Sequence, residues 1–301
     1  MKRIFATCLS LAMVLMTAGI SLGGLNDGLL AYYPFSGNAN DATGNGNNGT
    51  VHGATLTEDR FGNPNSAYYF NGVNSYISAN ANQLPSGQRT ISLWFKTNTV
   101  SNKPVLLGYG GNGCYTSFFL GINLSTSGIG KYTVLTHCST SNYIDFPYSS
   151  EPINSWYHIA FSTDNTGSKI YINGANVASN NTFISNTYPT GKDLAIGVAI
   201  SLYGVAPFAN GDVGYFMGSI DDVYIYNRSL SVAEIQQLYQ GACPNVAAIK
   251  PYTFSSGTPA KSAEVNANFD VLYNLINAQN CRIKALETIV CTDHPTANMC
   301  K

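Results

Sequence analysis

Charged side chains are scarce in this chain, where Lys, Arg, Asp and Glu together make up 10% of the 301 residues. The 15 basic and 16 acidic residues nearly cancel, which leaves a formal net charge of −1. So few cations cannot form the broad basic surface that binding to a phosphate backbone requires. The composition therefore argues against nucleic acid as a partner.

A strand pattern that would place two carboxylates on one face is also missing from the first 243 residues. Enzymatic cleavage of a glycosidic bond needs two carboxyl groups that face the same bond. Asp221 and Asp222 are adjacent, and we expect them on opposite faces because successive residues of a strand alternate. We therefore predict a protein that is not an enzyme, with a polysaccharide-processing enzyme as the alternative. The glutamates of this region are far apart and lie in loop-like or helical surroundings: Glu58, Glu151 and Glu234.

No long apolar run follows the N-terminal segment. Lys2 and Arg3 precede the apolar stretch Ile4–Ile20, and small residues follow it. This order is typical of a secretory signal peptide. We expect residues 1–23 to direct export and the mature chain, without a membrane span, to be secreted or held at the cell surface. A retained N-terminal anchor is the alternative.

Six cysteines remain after Cys8, which lies inside the apolar stretch. An even number of cysteines in an exported chain predicts disulfides, here three. Two of the six flank a pair of strand-like runs, and a hairpin about Thr126 would place them opposite each other. These two are Cys114 and Cys138. The pairing of the other four stays open: Cys243, Cys281, Cys291 and Cys300.

Strand-like runs fill the chain from Leu29 to about Ile225. In the run from 90 to 96, Ile91, Leu93 and Phe95 share one face, which is the period of a half-buried strand. Asn173-Gly174 predicts a hairpin turn. Many such runs without a long helical pattern predict an all-β fold, an antiparallel sandwich of two sheets or jelly roll.

Helical signals appear only after these runs. Ser229 or Ser231 can cap a short helix that Gly241 would end. Residues 244–301 form a separate linker, helix and cysteine-containing tail, in which Phe269 and Ile276 begin a heptad pattern. This helix either packs on its own sandwich or forms a coiled coil between subunits. We expect self-association through residues 258–290.

Several segments of the chain resemble one family in the order in which they occur. They are Gly28–Phe35, Asn38–Gly46, Ala67–Gly72, Ile91–Phe95, Trp156–Ala160, Ile170–Gly174 and Gly218–Arg228. Together they resemble the LamG-like jelly-roll family of concanavalin A-like domains, relatives of laminin G and pentraxin modules. The resemblance implies that residues 24–243 form two facing sheets with a binding role, for carbohydrate or for protein, and that catalysis would be exceptional.

The same resemblance implies a structural calcium ion. Family members commonly hold it between a loop equivalent to Asn38–Asn48 and an aspartate of the last core strand. Asp41 and Asp222 would then be the carboxylate ligands, with Asn38 or Asn40 as carbonyl donors. The alternative is a turn in which the aspartate side chain accepts hydrogen bonds from its own backbone.

A ligand surface needs aromatic rings with amide groups beside them. Tyr109, Asn112, Tyr115 and Tyr143 lie in or beside segments rich in Gly, Asn and Ser, and Tyr203 is of the same kind. These residues are the candidates for ligand binding, and the alternative is that the tyrosines cover sheet edges. We predict an adhesin-like or lectin-like protein whose partner is a glycan or a surface protein. The other hypothesis is a structural subunit of a surface or fibre assembly.

Overall fold

The computed structural model describes residues 24–101, 103–124, 130–136, 143–148, 152–183, 186–201, 203–208 and 214–241. The predicted export signal, the heptad helix and every cysteine except Cys114 lie outside these residues. The described part has the following strands and helix: β1 (Leu29–Tyr33), β2 (Thr50–His52), β3 (Thr55–Thr57), β4 (Ala67–Asn71), β5 (Tyr76–Asn80), β6 (Arg89–Thr97), β7 (Val105–Gly110), β8 (Ser117–Ile122), β9 (Lys131–Leu135), β10 (Tyr143–Pro147), β11 (Tyr157–Asp164), β12 (Gly167–Ile172), β13 (Ala175–Asn180), β14 (Asp193–Ile196), β15 (Met217–Tyr226) and α1 (Val232–Tyr239).

The strands form two antiparallel sheets. The first, which we call the β15 sheet, has the order β13-β12-β11-β6-β15-β4-β3, and β1 pairs with the second half of β15. The second, the β14 sheet, has the order β10-β9-β8-β7-β14-β5-β2. The predicted all-β sandwich of two antiparallel sheets is confirmed.

The core lies between the inward faces of the two sheets. Ile91, Leu93 and Phe95 of β6 are fully buried there, as their alternation predicts. Phe161 of the β15 sheet packs on Phe118 of the β14 sheet, with ring centroids 5.1 Å apart. Each such buried side chain contributes about 1.5–3 kcal/mol relative to its exposed state.

The predicted hairpin turn and the predicted short helix are confirmed. β12 and β13 form a hairpin whose turn residues, Asn173 and Gly174, have φ values of 48° and 76°. Helix α1 follows Ser231, whose hydroxyl accepts from the backbone of Glu234 while the Glu234 carboxylate accepts from the Ser231 backbone. Its buried face, Ile235 and Leu238, covers part of the outer face of the β15 sheet.

Strand β15 contains a bulge that was not predicted from the sequence. Its register against β6 shifts between Asp221 and Tyr224, and Asp222 has a φ of 47°, in the left-handed region. Because of the extra residue, both carboxylates reach the same side, and each lies 2.8 Å from Nη1 of Arg60. The expectation that Asp221 and Asp222 point to opposite faces is therefore wrong.

The Arg60 ion pair is buried on the outer face of the β15 sheet. The side chains of Arg60 and Asp221 are 7% and 3% exposed, and the guanidinium lies 4.6 Å from the Trp94 ring. Burial, together with the neighbouring Asp222 carboxylate, raises the pKa of Asp221 well above its usual range. Burial alone would lower the pKa of Arg60, but the two carboxylates raise it instead. One cation therefore faces two buried acidic groups.

Replacing Arg60 by Met would keep an apolar stem on Trp94 and remove the charge. We expect the variant to lose about 3–5 kcal/mol of unfolding free energy, because the aspartates would remain buried without a cation. Urea denaturation at neutral pH measures the loss. The matched control is Lys131→Met, which breaks a more exposed pair with Asp145 and should cost at most about 1 kcal/mol. Equal losses in both variants would contradict this account.

Candidate functional site

Three loops meet at one end of the β14 sheet. β7 ends opposite the start of β8, where Gly110 pairs with Ser117, and β14 begins beside the same end of β7, where Leu194 pairs with Tyr109. Antiparallel neighbours bring alternate chain ends to the same edge. The loop after β7, the segment before β14 and the segment 203–207 are therefore adjacent, and we call this edge the loop end.

Backbone hydrogen bonds join the loops of the loop end. The N–H of Gly111 donates to the carbonyl of Tyr188 at 3.1 Å, and the N–H of Tyr188 donates to the carbonyl of Thr116 at 2.9 Å. Gly204 accepts from the Asp193 N–H at 2.9 Å. A Cβ at Gly204 would lie 2.8 Å from the Gly110 carbonyl oxygen, so only glycine permits this approach. The three loops thus form one connected surface.

Large side chains project from this surface into solvent. Tyr115, Tyr188 and Tyr203 are 56%, 47% and 63% exposed, and Val205 is 58% exposed. We call the first three the loop-end tyrosines. Such concentration of exposed aromatic surface on adjacent loops is typical of an interaction site.

The loop that carries Tyr115 is held in a defined conformation. Tyr115 has a φ of 66°, which is uncommon for a bulky residue and costs backbone energy. The Thr116 hydroxyl accepts from the Asn112 N–H at 2.7 Å and donates to the Gly113 carbonyl at 2.9 Å. The adjacent Cys114 is disulfide-bonded. Its partner lies outside the described residues, as does Cys138, so the Cys114–Cys138 pairing stays a prediction.

The structure separates the predicted ligand residues into two groups. Tyr115 and Asn112 are exposed at the loop end, together with Tyr203. Tyr109 is wrong as a ligand residue, because it faces the core from β7 and its hydroxyl donates to the Pro85 carbonyl at 2.9 Å. Tyr143 is half-buried and packs on the outer face of the β14 sheet, three strands from β7.

Tyr188 was missed by sequence reasoning. It stands in Thr187-Tyr188-Pro189, a segment of the same polar, turn-rich kind as the others. The pattern alone could not show that Tyr188 meets Thr116, because that contact joins segments far apart in the chain. Only the strand order places both at one edge.

The loop proposed to hold calcium is organised by its own aspartate. One Asp41 oxygen accepts from the Tyr32 N–H at 3.1 Å, the Thr43 N–H at 3.0 Å and the Thr43 hydroxyl at 2.7 Å. The other accepts from the backbone and side-chain N–H groups of Asn47 at 3.3 and 3.1 Å. The Asn38 side-chain oxygen accepts from the Asn40 N–H at 2.8 Å. Five donors thus surround the buried Asp41 carboxylate.

These residues do not fit a calcium ion as they are arranged. Calcium requires free oxygen lone pairs, whereas those of Asp41 face N–H and O–H groups. The Asp222 carboxylate accepts from Arg60 and from the Tyr32 hydroxyl. Within the described ranges, no three His, Cys, Asp or Glu side chains come together as a metal-binding group. The arrangement matches the alternative in which Asp41 holds its own loop.

One pair of side chains has the geometry of a nucleophile and a base. The Ser92 hydroxyl lies 2.7 Å from Nε2 of His158. Both are buried, and the rings of Trp94 and Tyr239 lie 5.4 and 5.9 Å from the His158 ring. Burial, followed by the Arg60 charge, lowers the pKa of His158 to about 3. The imidazole is therefore neutral at physiological pH and out of reach of a substrate, as expected of a structural histidine.

Comparison with known proteins identifies the family. A family model of the concanavalin A-like lectin/glucanases superfamily matches residues 71–236, which is more than half of the chain. The chain belongs to this superfamily. The match confirms the resemblance seen in the sequence, and no curated protein matches the chain significantly.

Solved structures of this superfamily's fold are similar over most of the described sandwich. Domain 4 of AbnA, an extracellular GH43 arabinanase from Geobacillus stearothermophilus, solved with arabinotriose, is 24% identical with a TM-score of 0.55. That match covers 70% of this chain and 98% of that one. The botulinum neurotoxin serotype G binding domain is 18% identical with a TM-score of 0.54, over 70% of this chain and 50% of that one.

The serotype D binding domain gives a similar result, with 18% identity, a TM-score of 0.51, and coverage of 72% and 51%. This chain therefore spans about half of the neurotoxin domains that it matches. At these identities the likeness establishes the fold. In the part of the chain that the structure describes, no helix has the length and apolar character needed to cross a bilayer.

Removing calcium tests the account of the Asp41 loop. We expect the melting temperature of the chain to be the same with excess calcium and with a chelator, because the Asp41 oxygens already have donors. Asp41→Ala should lower the unfolding free energy by about 2–4 kcal/mol in both conditions, because it leaves buried N–H groups unpaired. The control is Asp27→Ala at an exposed position. A rise in melting temperature with calcium that disappears in Asp41→Ala would restore the metal site.

Proposed function

We propose that this chain is a non-catalytic binding protein, secreted or held at the cell surface, that takes a glycan at the loop end. The observation that carries the proposal is the set of loop-end tyrosines on loops held by hydrogen bonds. A rigid aromatic ring stacks on the apolar face of a sugar at small entropic cost, and the tyrosine hydroxyl adds a polar contact.

The surroundings of the loop-end tyrosines favour a neutral ligand. Asp193 is half-buried, and one of its carboxylate oxygens accepts from the Ala206 N–H at 2.8 Å. Lys192 is half-buried beside Gly204 and is adjacent to Asp193, so the two opposite charges offset each other at the loop end. Exposed Asn112 supplies an amide next to Tyr115. An aromatic platform with amide groups is the usual lining of a sugar site, and the arabinanase domain of the same fold was solved with a bound trisaccharide.

The buried polar groups support a role without catalysis. Ser92 and His158 lie under Trp94 and Tyr239. The adjacent carboxylates of Asp221 and Asp222 are held by Arg60. The burial of both sets beneath the outer face of the β15 sheet supports this part of the proposal.

Replacing Tyr188 or Tyr203 by Ala should weaken glycan binding. A glycan array probed with the full chain selects the ligand, and calorimetry then measures Kd for each variant. We expect each substitution to raise Kd about tenfold, which corresponds to about 1.4 kcal/mol, because a stacking surface is lost. Val73→Ala is the matched control, since Val73 is 70% exposed at the opposite end of β5. Absence of binding by the unchanged chain, or an equal effect of Val73→Ala, would refute the proposal.

We further propose that residues 258–290 join several copies of the chain, so that their sandwich domains bind a ligand together. A single shallow sugar site is weak, and joining sites raises avidity without new contacts. The support is the heptad pattern of the sequence. Residues 258–290 lie outside the described part of the chain.

Disrupting the heptad tests this association. Ile276→Asp places a charge in the apolar seam, and we expect it to reduce the sedimenting species to a monomer. Asn274→Asp adds the same charge outside the seam and should leave the oligomer intact. A monomeric unchanged chain in sedimentation velocity would rule out the coiled coil.

A further inference from the structure

Part of the outer face of the β15 sheet is left open by α1. There Tyr69 of β4 pairs with Ser219 of β15, and Ser219 pairs with Lys96 of β6. Trp156 precedes β11 and comes level with Lys96, because Tyr157 pairs with Phe95. We call these four residues the cross-strand row.

All members of the cross-strand row face outward. Their strand neighbours Phe70, Ile220 and Phe95 are fully buried in the core between the sheets, and side chains alternate along a strand. Tyr69, Lys96 and Trp156 are half-buried on the surface. The row is therefore a surface of two aromatic residues, one cation and one hydroxyl.

The cross-strand row has the shape of a shallow groove. Ser219 is 4% exposed and lies between the larger Tyr69 and Lys96, so it forms the floor. Neighbouring strands lie about 4.8 Å apart, so the strands of Tyr69 and Trp156 are about 14 Å apart. This length suits an oligosaccharide better than a single sugar.

The borders of the groove differ in chemistry. On one side lies Arg60, which covers Trp94, two positions before Lys96 in β6. Its charge is neutralised by the carboxylates of Asp221 and Asp222. On the other side the exposed amides of Asn98 and Asn154 lie 3.5 Å apart. Met217, which is 36% exposed, adds apolar surface. Aromatic, amide and apolar groups thus surround a single available cation.

Lys96 is that cation. Its ammonium lies 5.4 Å from the Trp156 ring centroid. Among the described residues, no carboxylate forms an ion pair with Lys96, unlike the pairs of Arg60, Lys131 and Arg228. A sugar ring that carries a carboxylate can contact Lys96 and Trp156 at the same time. The carboxylate pairs with Lys96 while the ring stacks on Trp156. One cation is too few for a polyphosphate or an anionic membrane.

We propose that the cross-strand row is a second binding surface, separate from the loop end, and that it takes a saccharide carrying carboxylates. The complementary charge of Lys96 beside Trp156 selects an acidic sugar over the neutral ligand proposed for the loop end. The two sites lie on different sheets, so either can be lost without the other.

Titration of the full chain with trigalacturonic acid tests this proposal, with calorimetry or NMR as the readout. Binding should be measurable at low salt. Lys96→Ala should weaken it about tenfold, and Lys96→Arg should retain it, because the charge contact is removed only in the first variant. The methyl ester of the same trisaccharide should bind weakly and be indifferent to Lys96→Ala.

Substitutions of Trp156 form the second part of this binding experiment. Trp156→Ala should weaken binding of trigalacturonic acid by a similar factor, and Trp156→Phe should retain part of it. Unchanged thermal melting of Lys96→Ala ensures that a folding defect is not being measured. Tyr203→Ala should leave this binding intact, which separates the two sites.

Three outcomes would overturn the proposal. The first is no binding of trigalacturonic acid by the unchanged chain. The second is binding that Lys96→Ala does not weaken. The third is a change of sedimentation, without a change of saccharide binding, in Lys96→Ala, which would assign this face to contact between copies of the chain.

Discussion

The buried guanidinium of Arg60 links parts of the β15 sheet that are far apart in the sequence. It binds the two aspartates of the β15 bulge, and Asp222 in turn accepts from the Tyr32 hydroxyl of β1. It also lies over Trp94 of β6. A buried charge is tolerated only with such partners. The loop before β4, the two halves of the β15 sheet and the bulge therefore depend on one another.

This constraint also fixes the polar groups that lie under the outer face of the β15 sheet. Asp221 and Asp222 are held by Arg60, and Tyr239 of α1 packs on Trp94 beside His158. The two surfaces that we propose for binding, the loop end of one sheet and the cross-strand row of the other, carry exposed or half-buried aromatic residues. In such a rigid sandwich, the residues that stabilise the fold differ from those proposed to bind a ligand.

Much of the fold could be predicted because it follows from short-range rules. The alternation of Ile91, Leu93 and Phe95 reflects one half-buried strand, and Asn173-Gly174 tolerates the positive φ values of a tight hairpin. Ser231 and Glu234 supply the donors and acceptors that begin a helix. Each of these signals involves residues at most a few positions apart, so the sequence alone predicted the alternating strand β6, the hairpin turn and the closing helix.

The site could be predicted only in part, because exposure and pairing depend on residues distant in the chain. Tyr109 and Tyr115 stand in the same kind of segment, yet one faces the core and the other solvent. The sequence by itself determined the all-β class, several of the strands, the Asn173-Gly174 turn and the family resemblance. The tertiary structure alone decided that Tyr188 meets Thr116 and that both aspartates face Arg60, since such contacts form only when the order and register of the strands are set.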